Sequence, residues 1–241
     1  MPYLKIQDMR LLIVAATGFE LLPLKDYLEQ NFVHKDPDVY QLGDVQVTLL
    51  VTGVGAPATV YALARMLTAF RFDLVLNAGI AGAFDRSIPL GEVVQVEADT
   101  FADLGVEEAD GSFQSVFDLQ LADPSAPPFQ DGWLLQPASG DMHFLPRVRG
   151  ITINKVHGWA PSIARIGEKY PAAIETMEGA AFFYVCLMEK ATFLALRSIS
   201  NYVEPRNRAA WDIALAIDRL NQVLIDLVKS FSGPQHSGTP A

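Results

Sequence analysis

Residues 174–190 read IETMEGAAFFYVCLMEK, and from Gly179 to Met188 this stretch carries no charge. A helix that is apolar all the way round belongs in the core of a sizeable domain. The stretch therefore predicts a buried helix behind a short strand at 172–176. Glu178, at the mouth of that helix, is the odd residue. A glutamate is rarely buried without a partner, yet a helix amino terminus favours its ionised form, because unpaired N–H groups and the macrodipole both point at it. Two roles are open from the stretch alone. One is a plain N-terminal charge worth about 0.3–1 kcal/mol, and the other is a catalytic or ligand-binding carboxylate.

Working outward, the chain alternates strands with helices. Downstream, 192–199 reads as a strand that leaves through Ser198 to Tyr202 and the VEPRNR segment at 203–208. A last helix is expected at 209–231, with Ile213, Ile217, Leu220, Leu224 and Leu227 on one face. Upstream, the apolar run at 11–16 predicts a buried strand, followed by a helix at 19–31 with Pro23 tolerable in its first turn. Strands are expected at 40–43 and 45–51, then a Thr52-Gly53-Val54-Gly55 turn into a helix at 57–70. A further strand at 73–77 is expected to end in a second glycine-bearing turn, Ala78 to Gly82. Glycines between a strand and a helix let the backbone approach a ligand closely, although neither turn has the spacing of a dinucleotide fingerprint or a P-loop.

The remaining segments predict strands at 91–100 and 148–153, a helix at 163–170, a surface loop at 103–111, and long loops with at most one short helix at 118–146. The pattern is that of a single α/β domain with a mixed central sheet flanked by helices in three layers, α/β/α. The domain should span 10–231, between an N-terminal extension at 1–9 and a disordered tail at 232–241.

The chain has 241 residues, 50% hydrophobic and 19% charged, which suits one large domain. No apolar run is long enough to span a membrane, and the 11–16 run is too short for a signal peptide, lacks a cleavage site and leads straight to Glu20. A formal charge of −10 argues against nucleic-acid or anionic-membrane partners. The lone Cys186 excludes an internal disulfide and fits a reducing cytoplasm. His34, His143, His157 and His236 show no metal-ligand spacing, there is no GxSxG elbow, and no cofactor is implied. What remains is carboxylates beside glycine turns. Glu20 and Glu178 each stand at a strand-to-helix junction, so a sheet that gathers those ends would place both in one cleft. Such a pair suits cleavage of a glycosidic bond: one carboxylate activates water, and the other holds sugar hydroxyls and stabilises an oxocarbenium-like transition state.

Glu20 after the first strand, TGVG at 52–55, NAGIAG at 77–82, TMEGAA at 176–181 and RSISN at 197–201 together resemble the purine nucleoside phosphorylase and nucleosidase superfamily. The resemblance covers nearly the whole chain. Within it, TMEGAAFFYVC followed by RSISNYVEPRNR is most similar to the futalosine hydrolases, menaquinone-pathway enzymes that release hypoxanthine from futalosine. The resemblance implies a nucleoside phosphorylase-like fold, a small-molecule nucleoside substrate, no cofactor or metal, and a homo-oligomer. It implies Glu20 as the water-activating acid, and Met177 and Glu178 as the ribose-contacting pair. Gly53 and Val54 of the first glycine turn, and Gly79 and Ile80 of the second, would line the ribose and water side, with Arg197 in support. Asn201 falls where the adenine-specific nucleosidases carry an aspartate. An amide can donate to a 6-oxo group where a carboxylate cannot, so Asn201 favours hypoxanthine over adenine. The base-stacking position falls near Val156 and His157. Arg206 and Arg208 are candidates for the benzoate of futalosine, since arginine forks suit carboxylates.

Overall fold

The computed structural model describes residues 9–137 and 145–232. Its strands are β1 (Met9–Ala15), β2 (Val33–Asp36), β3 (Val39–Leu42), β4 (Val45–Val51), β5 (Leu74–Ala83), β6 (Val93–Asp99), β7 (Gly105–Glu107), β8 (Phe113–Ser115), β9 (Leu134–Leu135), β10 (Arg147–Thr152), β11 (Ile174–Thr176) and β12 (Phe193–Tyr202). The helices are α1 (Leu22–Asn31), α2 (Ala56–Ala69), α3 (Ala160–Lys169), α4 (Gly179–Met188) and α5 (Ile213–Ser232).

β1 lies inside the sheet, parallel to β4 on one side and β5 on the other. Its side chains alternate between two cores: Leu11, Ile13 and Ala15 enter one, Leu12 and Val14 the other. A strand covered on both faces has no polar side, which is why 11–16 reads as a continuous apolar run. One core takes Leu24 and Leu28 of α1 with Leu220, Leu224 and Val228 of α5. The other takes Leu63 and Leu67 of α2 with Phe182, Phe183 and Cys186 of α4. The three layers are therefore helix, mixed sheet, helix. α4 is apolar all round because it lies under α2 as well as on the sheet, with the Phe183 ring edge-on to Phe193 at 4.9 Å.

Beyond β5 the sheet continues through β12, β6, β10 and β11. It then closes on itself: β11 runs antiparallel to the end of β5, pairing Ile174 with Ala83 and Glu175 with Gly82. This closure decides what surrounds the carboxyl end of β5. At Gly82 the strand sits between Asn201 of β12 and Glu175 of β11.

Several expectations are corrected. The segment Ala78 to Gly82 is not a turn, because β5 runs on to Ala83. Its glycines make room instead of bending the chain. A Cβ at Gly79 would stand 3.1 Å from Glu20 Oε1, and one at Gly82 3.1 Å from Asn201 Nδ2. The extended β5 gives β12 a partner as far as Tyr202, so 198–202 is strand with a bulge between Ile199 and Asn201, not an exit loop. The first helix splits into a 3-10 turn (Gly18–Leu21) and α1, and the last into a 3-10 turn (Arg208–Ala210) and α5. The 103–111 loop holds β7 of the β7–β8 hairpin, and the described part of 118–146 contains β9, paired with β6, and no helix. Met9 opens β1 opposite Val45, and Ser232 closes α5. The remainder of the expected extension (1–8), of the expected tail (233–241) and the segment 138–144, with His143 and His236, lie outside the described residues.

Candidate active site

Glu20 stands on the 3-10 turn between β1 and α1, buried and held at three points. Oε2 accepts hydrogen bonds from Thr17 N at 2.9 Å and Thr17 Oγ1 at 3.0 Å, and Oε1 accepts one from Ile80 N at 3.3 Å. The turn itself is fixed by Asn221 of α5, which is 1% exposed. Asn221 Nδ2 donates to the Glu20 carbonyl at 2.9 Å and its Oδ1 accepts from Leu24 N at 3.0 Å.

Glu178 is the N-cap residue of α4, but its carboxylate does not cap that helix. Gly179 N donates to Thr176 Oγ1 at 3.1 Å and Ala180 N to Thr152 Oγ1 at 2.6 Å, so threonines from β11 and β10 satisfy the first turn of α4. The Glu178 carboxylate reaches instead to Gly55 N, 2.8 Å away at the start of α2. Gly53 and Gly55 have φ of +91° and +92°, a region that favours glycine, and this conformation turns the Gly55 N–H toward Glu178. Burial raises the Glu178 carboxyl above its ordinary value; the Gly55 N–H and Arg197 pull it down, and the charge of Glu20 pushes it up.

Arg197 is 2% exposed and feels the charges of both acids. Its Nη1 donates to the carbonyls of Leu196 at 2.8 Å and Asn77 at 3.3 Å, and Nη2 donates to Asn77 Oδ1. Asn77 in turn donates to Val14 O at 3.1 Å, which ties the guanidinium to β1. A buried cation is costly unless compensated. Burial lowers the Arg197 pKa, and Glu178, Asp99 and Glu20 counter that shift. Asp99 is fully buried at the end of β6: Oδ1 accepts from Thr152 Oγ1 at 2.9 Å, and Oδ2 has no hydrogen-bond partner among the described residues. Burial pushes its pKa up to about 7. A Cβ at Gly179 would stand 2.0 Å from Asp99 Oδ2, so α4 can start there only with glycine.

The structure thus brings together Glu20, Glu178, Gly79, Ile80 and Arg197, with the Gly53 to Gly55 turn alongside. Val54 is exposed, and Met177 and Val156 are half-buried. Asn201 is buried at the end of β12, where Oδ1 accepts from Ser200 Oγ at 2.8 Å and Nδ2 donates to Tyr202 O at 3.1 Å. Arg206 and Arg208 are exposed on the segment after β12; Arg206 lies over the Trp211 ring at 4.9 Å, and neither makes an ion pair among the described residues. Two site-proximal acids escaped the sequence reading, Asp99 and Glu175. Asp99 ends β6 two residues after the half-buried Glu97, and Glu175 lies between Ile174 and Thr176, patterns that equally suit outward-facing residues. Among the described residues no group of three or more His, Cys, Asp or Glu is placed to hold a metal ion, and no helix is long and apolar enough to cross a membrane.

The profile of the phosphorylase superfamily matches residues 10–231. The chain belongs to the phosphorylase superfamily. Among curated superfamily proteins, it is 35% identical over 202 residues to the futalosine hydrolase of Streptomyces coelicolor, covering 80% of each chain. It is 26% identical over 208 residues to the 5'-methylthioadenosine/S-adenosylhomocysteine nucleosidase of Colwellia psychrerythraea, covering 80% of this chain and 83% of that protein. In fold it is similar to the native structure of futalosine hydrolase from Helicobacter pylori, with a TM-score of 0.74 at 14% identity over 92% of this chain and 98% of the other.

Proposed function

We propose that this superfamily member is a hydrolase that cleaves the N-glycosidic bond of futalosine and releases hypoxanthine, in menaquinone biosynthesis. The observation that carries the reading is the pair of fixed carboxylates, Glu20 and Glu178, about the buried Arg197, with an amide rather than a carboxylate further along β12 at Asn201. The similarity to the Streptomyces coelicolor enzyme supports the choice of substrate.

In this reading Glu178 holds the ribose hydroxyls and offsets positive charge as C1′ becomes oxocarbenium-like. Glu20 takes a proton from the water that attacks C1′, and the buried charge of Arg197 offsets the two acids. The base lies toward Gly82 and Asn201. Asn201 Nδ2 has a second hydrogen to offer the 6-oxo group, and its oxygen can accept from N7 once that atom carries a proton.

A phosphorolytic reading has less support. Arg65 bonds Tyr61 on an exposed face of α2, Arg71 bonds the Leu67 carbonyl, and Arg86 pairs with Glu204, so none of the basic residues nearest the glycine-bearing segments is committed to a phosphate at Glu178. Exposed Phe19, Leu22, Val51 and Val54, beside Glu20 and Gly55 in the chain, support a homo-oligomer that covers this edge. The deciding experiment incubates the pure protein with futalosine, inosine and methylthioadenosine, with and without phosphate, and chromatographs the released base. Hypoxanthine from futalosine without phosphate is expected. Release that needs phosphate, or adenine from methylthioadenosine in preference, would overturn the reading.

A further inference from the structure

If the purine leaves from a site that carries Asn201, something else must supply its proton, because an amide does not titrate. The closure of the sheet places a candidate. At Gly82, β5 is flanked by Asn201 and Glu175, and both side chains lie over the space its missing Cβ leaves: Asn201 Nδ2 is 3.1 Å and Glu175 Cγ 3.5 Å from that position. Gly79, against Glu20 and Arg197, is three residues earlier, about 10 Å along a strand.

Glu175 is 3% exposed and spends both oxygens on one residue. Oε1 accepts from His157 N at 3.2 Å, and Oε2 meets His157 Nδ1 at 2.7 Å. A carboxylate on Nδ1 fixes the ring and keeps Nε2 as the nitrogen whose proton is free to move. Nε2 has no hydrogen bond among the described residues. His157 also lines a cleft of about 540 Å³ between the β7–β8 hairpin and α3, which gives the imidazole access to solvent protons.

We propose that His157, oriented by Glu175, is the general acid that protonates the departing purine, and that Glu175 is its positioning residue. The inference rests on the nucleoside hydrolase reading above. As the C1′–N9 bond breaks, its electron pair goes to the purine and the Nε2 proton passes to N7. Water adds to C1′ and gives its proton to Glu20. Glu20 then releases that proton to solvent and His157 takes one up, so the sum is nucleoside plus water giving free base plus sugar.

The test compares wild type, His157→Gln and Glu175→Gln on futalosine and on N7-methylfutalosine, whose base leaves neutral without a proton. Loss of a general acid should lower kcat on futalosine by about 10²–10⁴-fold in His157→Gln, with KM little changed and kcat on the methylated substrate within about threefold of wild type. Glu175→Gln should show the same split to a smaller degree. Equal losses on both substrates would mean a structural role, and no loss on futalosine would mean no role; either overturns the proposal. Wild-type protein that releases no hypoxanthine from futalosine would instead sink the functional reading itself.

Discussion

The main-chain N–H of Gly55 donates to Glu178 Oε1 at 2.8 Å, across 123 residues of sequence. This bond sets the carboxylate of one helix mouth against the N-terminus of another, so the charge is held by α2 and carried by α4. Glutamine keeps an oxygen that can accept from Gly55 but loses the charge that, on the proposed reading, faces a developing cation. Glu178→Gln should therefore fold with a melting temperature close to wild type and lose about 10²–10³-fold in kcat. Near-normal turnover would refute the assignment of Glu178 to the reaction.

Asp99 makes a prediction about stability. Burial lifts its pKa to about 7 in the folded chain, against 3.8 for an ordinary aspartate. The folded protein therefore holds a proton that the unfolded chain has already released over that interval. The stabilisation is full below the unfolded pKa and is lost as pH rises through about 7. The whole effect is on the order of 4 kcal/mol. Melting curves of wild type and Asp99→Asn between pH 4 and 8 should diverge, with wild type losing stability relative to the variant as pH rises. Parallel curves would show that Asp99 is ionised throughout.

How far these residues were legible depends on whether a local pattern or a remote one decides them. β1 and α4 could be read because apolarity on every side has one outcome, burial. Glu20 and Glu178 could be read because each sits where a strand gives way to a helix. The extension of β5 could not, since NAGIAG is as good a turn as a strand until β12 and β11 flank it. Asp99 and Glu175 were hidden for the same reason. Each lies in a strand whose neighbours come from distant sequence: Asp99 stands opposite Leu134, and closure of the sheet pairs Glu175 with a glycine 93 positions away. Arg206 and Arg208 are a suggestive pair in sequence that the fold places on the exposed segment after β12, with Arg206 against Trp211.

Asn221 links stability to the site. It is fully engaged within the protein, donating to the carbonyls of Glu20 and Ile217 and accepting from Leu24 N. Alanine there would leave the Leu24 N–H and the Glu20 carbonyl buried without partners, at about 1–3 kcal/mol for each group. Asn221→Ala should melt several degrees lower and also lose activity, because the turn that presents the Glu20 carboxylate is released. A lowered melting temperature with unchanged kcat at a temperature where the variant is folded would show that α5 does not position Glu20.

On the proposed reading Asn201 faces the 6-position of the base, and the exchange that tests it changes one donor into an acceptor. In the structure Oδ1 is already met by Ser200 Oγ at 2.8 Å, while Nδ2 uses one hydrogen on Tyr202 O at 3.1 Å and has another for the purine. In Asn201→Asp the atom facing the 6-position can only accept, so it opposes a carbonyl and suits an amino group. A polar mismatch at a buried site is penalised heavily, because the unpaired groups stay desolvated. The ratio of kcat/KM for futalosine over its 6-amino analogue should therefore fall by about 10²-fold or more in the variant. The assay is release of hypoxanthine and adenine from the two nucleosides under identical conditions. A ratio unchanged by the substitution would mean that Asn201 does not face the 6-position, and that the base is selected elsewhere in the cleft.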